Sequence, residues 1–238
     1  MVSQPQKLFV KSAAQQCLKS AKQAKFCFPS DSQTLLRTRR VSVVFKILES
    51  HYVLVPLEVF GKNPYKTLIS TLLSSRTKDE VTLAASKKLF HKAPDINSLG
   101  QLGQSEIRNL IYPVGFYKTK SIHLTKLAKI ILEEYNCKIP NTRERLMSLP
   151  GVGRKTANLV LNRAFGIPAI AVDTHVHKIS NLLGWVNTKT PQETEKELIK
   201  LLPKKYWPDI NRLMVSIGRQ YNTTKKLSRF FKKEGLLE

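Results

Sequence analysis

From residue 41 onward apolar side chains recur every three or four positions, and that period leaves little room for anything but helices. Tyr65, Leu68, Ile69, Leu72 and Leu73 make a full i, i+3, i+4, i+7, i+8 stripe, and Leu124, Leu127, Ala128, Ile131 and Leu132 repeat it. Val44, Ile47 and Leu48, and then Ala157, Val160, Leu161 and Ala164, give shorter versions. Thr190-Pro191-Gln192-Glu193 is a capping box with proline at the first helical position, and Asn141-x-x-Glu144 is a weaker start signal of the same kind. Short turns such as "HKAPD", "YPVGFYK" and "FGIPAIAVD" separate the stripes. Only residues 53–60 have strand character, and one strand makes no sheet. The predicted class is all-α.

The charge then narrows the partners. The 238 residues carry 40 Lys and Arg against 17 Asp and Glu, a net of +23, on a chain whose 42% hydrophobic content is that of a globular protein. Such a surplus opposes compactness unless a polyanion is the usual partner, and nucleic acid fits better than a membrane surface or mere solubility. The longest apolar region, 41–60, is broken by Lys46, Glu49, His51 and Glu58, so no spanning helix is expected. Cys17, Cys27 and Cys137 match no zinc or iron–sulfur spacing, and their odd number points to a reducing intracellular compartment. No metal site is predicted. Residues 1–40 carry Lys7, Lys11, Lys19, Lys22, Lys25, Arg37, Arg39 and Arg40 against one acid, Asp31. They are expected to form a weakly ordered basic extension, with an organelle-targeting role or a DNA-binding arm as alternatives.

The stretch "LPGVGRKTANLVL", 149–161, sets two glycines and two cations before an apolar helical run. A phosphate-binding P-loop needs Gly-Lys-Ser/Thr after a buried strand. Here Arg154 precedes Lys155, and the glycines follow the polar helical segment "NTRERLMS". Helix, tight turn, helix remains. Such a turn either clamps an anion at the start of the second helix or is an ordinary αα-hairpin. Eighteen positions after Lys155 comes Asp173, in "AIAVDTHVHKISNLLGWV", where it reads first as a helix N-cap.

The pairing of "LPGVGRKTANLVL" with "VDTHVHKISNLLGWV" resembles the endonuclease III family of DNA glycosylases, in the helix–hairpin–helix–Gly/Pro–Asp superfamily. The likeness extends upstream to "NPYKTLISTLLSSRTKDEVTLAASKKLF" and "VGFYKTKSIHL" and covers roughly residues 41–220. It implies a base-excision-repair enzyme, a bifunctional DNA N-glycosylase/AP lyase for oxidised pyrimidines of the thymine glycol type. In the family a lysine at the position of Lys155 attacks the sugar C1′ and displaces the base as an imine forms, and β-elimination then cuts 3′ to the abasic site. Asp173 would stabilise positive charge on the sugar and assist deprotonation. Gly151, Val152, Gly153 and Arg154 would hold the DNA backbone. Arg76 and Phe116 would fill the gap left by the extruded nucleotide, with Lys120 also on the DNA. Arg76 departs from the glutamine common in bacterial relatives. Asp79 and His175 would line the pocket.

The same resemblance implies two helical lobes with a DNA-binding cleft between them. Residues 63–167 would form a six-helix lobe carrying the hairpin, and 41–62 with 168–238 a second lobe carrying Asp173. Many relatives end in four cysteines that hold a [4Fe–4S] cluster. The matching tail, "VSIGRQYNTTKKLSRFFKKEGLLE", has none, so no cofactor is expected. Its basic helix, with Trp207, Phe230 and Phe231 packed beneath, would take over the cluster's role. The expected partner is double-stranded DNA holding a damaged base or an abasic site, met by a monomer, with genomic DNA in cytoplasm, nucleoid or nucleus. A mismatch- or uracil-directed glycosylase and a non-catalytic DNA-binding protein are the rival readings.

Overall fold

The computed structural model describes residues 30–237. Among them are twelve α-helices, two short 3-10 turns and no strand. Helix α1, Ser30–Ser50, takes up the last part of the stretch expected to be a weakly ordered tail. Residues 1–29 lie outside the described residues. Residues 53–60 form no strand: Pro56–Phe60 is a 3-10 turn with Pro56 leading it, while Val53, Leu54 and Val59 stay exposed. With no second strand to pair with, β-propensity gives way to the turn that proline favours. No helix among the described residues is long and apolar enough to cross a membrane.

The chain divides into two compact units. One comprises residues 54–174 and 207–211, and so takes in 54–62 and 168–174 as well as the hairpin. It holds seven helices where six were expected: α2 Pro64–Ser74, α3 Asp79–Lys92, α4 Ile96–Gln101, α5 Gln104–Ile111, α6 Tyr117–Glu134, α7 Arg143–Met147 and α8 Arg154–Phe165. Leu102 ends α4 and Gly103 starts α5 with only that pair between them. Local capping sets the starts. Asn63 Oδ1 accepts the Lys66 N–H at 3.0 Å ahead of α2, with Pro64 next. Thr142, one residue later than Asn141, caps α7.

The predicted stripes face one core. Leu68, Ile69, Leu73, Leu124, Leu127, Ala128, Ile131, Ala157 and Val160 are all buried, joined by Leu89, Leu99, Ile107 and Ile111. Helix α2 packs on α8 and α3, and α6 on α4 and α5. Burial of this order, at roughly 25 cal/mol per Å² of apolar surface, is what holds short helices that are marginal alone.

Among the described residues, the second unit comprises 30–53, 175–206 and 212–237. It includes most of α9 Thr174–Leu182, α10 Pro191–Leu201, most of α11 Trp207–Gln220, and α12 Thr224–Lys233. The expected capping box is formed at α10: Thr190 Oγ1 accepts the Glu193 N–H at 3.2 Å, and Glu193 Oε2 accepts the Thr190 N–H at 3.3 Å. Phe45 of α1 packs on Trp185 and Tyr206, at 6.2 and 4.3 Å between centroids. In the tail, Leu227, Phe230 and Phe231 form the buried face of α12. Phe230 stacks on Tyr221 at 4.4 Å and meets His51 edge-on at 5.0 Å. Trp207 opens α11 and groups with the residues of the first unit.

Candidate active site

The hairpin is built by an inward-turned apolar edge. Leu146, Leu149 and Val152 are buried in the core of the first unit, and the Val152 N–H donates to the Leu149 carbonyl at 3.1 Å. The Val152 side chain thus packs inward as part of the hairpin's apolar edge. The apolar side chain is worth more in the core than against a phosphate. The two glycines around it differ in kind. Gly151 has φ +78, and a Cβ there would stand 2.6 Å from His123 Nδ1. Gly153 has φ −91 and caps α8 without a side chain, and a Cβ there would meet nothing within 4 Å. Neither backbone strain nor packing requires the glycine at 153, which stands at an N-cap, a position glycine favours. An α-helix start without a side-chain cap, flanked by exposed Arg154 and Lys155, is the geometry in which first-turn N–H groups meet an anion.

Lys155 lies in the first turn of α8, and the same helix holds the segment that leads to Asp173. Asn158, three residues after Lys155 and fully buried, donates through Nδ2 to the Ile170 carbonyl at 2.8 Å. Its Oδ1 accepts from Arg143 Nε at 2.8 Å. Asn162 Nδ2 donates to the Ala169 carbonyl at 3.1 Å. Asn211 Nδ2 holds the Ala171 carbonyl at 3.0 Å, with its Oδ1 accepting from Arg163 at 3.1 Å. Residues 169–172, all buried, thus run from Asn162 back to Asn158 along the helix that bears Lys155. They end at Asp173, which is half-buried and immediately precedes α9. Lys155 and Asp173 belong to one unit, not to two. The three asparagines were not anticipated. Their signal was there to see: two polar residues of low helix propensity, four apart, interrupt the apolar stripe of α8.

The remaining candidates are scattered. Arg76 is exposed in the loop after α2, and Phe116, 59% exposed, stands at the start of α6. The Arg76 guanidinium lies 5.4 Å from the Phe116 ring centroid. Lys120 does not reach outward to DNA. It is 6% exposed, and its ammonium donates to the Leu73 and Ser75 carbonyls at 2.7 and 2.6 Å. Burial pulls its pKa down to about 8. Asp79 sits in the first turn of α3, where a carboxylate suits the helix dipole. His175, in the second unit, lies against Gly218, where a Cβ would collide with its ring. No group of three or more His, Cys, Asp or Glu among the described residues could hold a metal. Cys137 is exposed, and Cys17 and Cys27 lie outside the described residues. With no cysteine after Cys137, these donors do not fit a four-cysteine iron–sulfur cluster.

Residues 69–204 match the model of the HhH-GPD superfamily base excision DNA repair proteins. Endonuclease III of Thermotoga maritima is 49% identical over 158 residues, covering 66% of this chain and 74% of that protein. The chain belongs to the endonuclease III family. The Synechocystis endonuclease III is 34% identical over 80% of this chain and 87% of its own length. Against the endonuclease III-like protein 1 of Gallus gallus, 42% identical, the chain spans 57% of the relative's length. Among solved structures, a trapped endonuclease III–DNA covalent intermediate, an estranged-adenine complex, matches over 94% of this chain and 90% of its own. Its TM-score is 0.67 and its identity 30%. A thermostable thymine-DNA glycosylase shares the fold, with a TM-score of 0.73 at 22% identity. This endonuclease III family member is a DNA glycosylase/AP lyase of base excision repair by that kinship.

Proposed function

We propose that the chain removes oxidised pyrimidines of the thymine glycol type from double-stranded DNA and then cuts the strand, with Lys155 as nucleophile and Asp173 as its electrostatic and proton-transfer partner. The damaged nucleotide is swung out of the stack, at a cost of a few kcal/mol that is lower for a damaged base. The neutral Lys155 amine attacks C1′; the C1′–N bond to the base breaks, and the base leaves with a proton. Asp173 stabilises the positive charge that grows on the sugar. The ring-opened sugar is then held as an imine on Lys155, loss of a C2′ proton expels the 3′ phosphate, and water hydrolyses the imine to free the enzyme. Gly151, Gly153 and Arg154 hold the backbone beside the lesion through main-chain N–H groups and charge.

The observation that carries this reading is the tie between Lys155 and Asp173: the helix bearing one holds, through Asn158 and Asn162, the segment ending in the other. That the related endonuclease III was trapped as a covalent intermediate with DNA supports a nucleophilic enzyme. The protein acts as a monomer, without an iron–sulfur cluster, wherever genomic DNA is kept; the purified protein should be free of iron and of visible iron–sulfur absorbance. The substrate class is tested with duplexes holding thymine glycol opposite adenine, or uracil or thymine opposite guanine. Base release from the first, with a β-eliminated strand end, is expected. Release from the mispairs alone, leaving an intact abasic strand, would make the chain a mismatch- or uracil-directed glycosylase instead.

A further inference from the structure

Arg76 and Phe116 share an unusual backbone state. Arg76 has φ 53 and Phe116 φ 59, a left-handed conformation that bulky L side chains rarely adopt. Strain of this kind at exposed residues persists only where something beneath enforces it. Both side chains point to the surface as a cation–π pair, 5.4 Å from guanidinium to ring centroid.

Lys120 lies beneath them. Its ammonium donates to the Leu73 carbonyl in the last turn of α2 at 2.7 Å, and to the Ser75 carbonyl and Thr77 Oγ1 of the loop that carries Arg76 at 2.6 and 3.3 Å, which uses all three of its donors. Lys120 itself is the fourth residue of α6, the helix that Phe116 starts, and its backbone N–H donates to the Phe116 carbonyl at 2.9 Å. Thr77 Oγ1 also accepts the Gly115 N–H at 3.1 Å. Gly115 sits so close to the Arg76 loop that a Cβ on it would stand 2.4 Å from the Arg76 carbonyl oxygen. Three ties therefore join two loops that belong to different helices. A buried cation whose partners are all neutral oxygens is expensive to keep, and what it supplies in return is donors for the carbonyls at the end of α2, which methionine would fill around but leave unbonded. Packing alone does not account for a lysine here.

We infer that Lys120 is a positioning residue which, with Thr77, locks the two loops together so that Arg76 and Phe116 enter the duplex as one preassembled wedge. The inference rests on the proposed function, since a wedge matters only where a base is swung out of a pair. Preassembly removes the ordering cost that two separately mobile side chains would carry on insertion.

Base release from a thymine glycol–adenine duplex needs the wedge; cleavage at a preformed abasic site has no base to displace. Single-turnover rates on both substrates are measured for wild type, Lys120→Met, Thr77→Val, Phe116→Ala and Lys120→Met/Phe116→Ala. Lys120→Met is expected to slow base release by about 10- to 100-fold, with a loss on the abasic duplex about tenfold smaller. Added to Phe116→Ala, it should cost no more than about threefold, because the two act through one unit. Thr77→Val, a near-isosteric change, should act in the same direction and replaces Lys120→Met where that protein does not fold. A 2-aminopurine opposite the abasic site reports duplex opening without turnover, and both Lys120→Met and Phe116→Ala should lose its fluorescence rise at saturating protein. A wild type that raises this fluorescence but releases no oxidised base overturns the substrate reading and leaves the clamp standing. Equal losses on the two substrates, independent losses in the double variant, or wild-type opening by Lys120→Met and Thr77→Val overturn the clamp.

Discussion

Gly151 and Gly153 stand two residues apart in one motif and predict opposite things. Gly151→Ala should cost about 1–3 kcal/mol, seen as a lower Tm, because φ +78 strains an alanine and its methyl meets His123. His123→Ala in the same chain should recover the steric share. Gly153→Ala should leave stability within about 0.5 kcal/mol, since φ is ordinary and the space is open. It should still weaken DNA binding by about tenfold, the worth of one charge-assisted hydrogen bond lost to a methyl group. Equal effects on both quantities would remove the distinction. In the sequence "GVG" the two glycines look alike, and Val152 looks like part of the same contact surface; backbone angles and the inward edge of Leu146, Leu149 and Val152 separate them. Lys120 departs from its expected place on the DNA for a related reason. One letter does not say whether an ammonium faces phosphate or a carbonyl cage. Its pKa near 8 in the folded protein, against 10.5 ordinarily, carries its own prediction. Between those values the unfolded chain binds more protons, so stability rises as pH climbs from about 8 toward 10.5. Urea midpoints across that range should show the rise flattened in Lys120→Met.

At the scale of elements, helix α8 does two jobs through residues three apart. Lys155 leaves it toward solvent, and Asn158 ties its buried side to the segment before Asp173. Asn158→Ala leaves the Ile170 carbonyl and the Arg143 guanidinium short of a partner, a loss of about 2–3 kcal/mol. Because the same bond holds the segment that ends in Asp173, turnover well below the Tm should fall by about 100-fold. A stable, fully active Asn158→Ala protein would separate the segment from catalysis. The helices themselves were legible, since period and burial agree from Tyr65 to Val160. Their edges were less so: Thr142 takes the cap assigned to Asn141, and Pro56 turns a candidate strand into a 3-10 turn. Such edges depend on single hydrogen bonds, which periodicity does not register.

For the whole molecule, composition speaks most clearly about binding. A net charge of +23 makes phosphate contacts the main sequence-independent source of affinity, so the binding constant should fall by roughly one decade per decade of salt for each phosphate neutralised. A flat salt response would contradict that use of the charge. Motif and charge together made the family readable. Tertiary hydrogen bonds decided what they left out: the asparagines place Asp173 in the unit that carries Lys155. The most direct test of the chemistry is borohydride trapping on a duplex with one abasic site, with wild type beside Lys155→Ala. A covalent protein–DNA adduct with wild type, lost in Lys155→Ala while that protein still binds the duplex, is the predicted result. An adduct that survives the substitution, or none with wild type, would contradict Lys155 as the nucleophile.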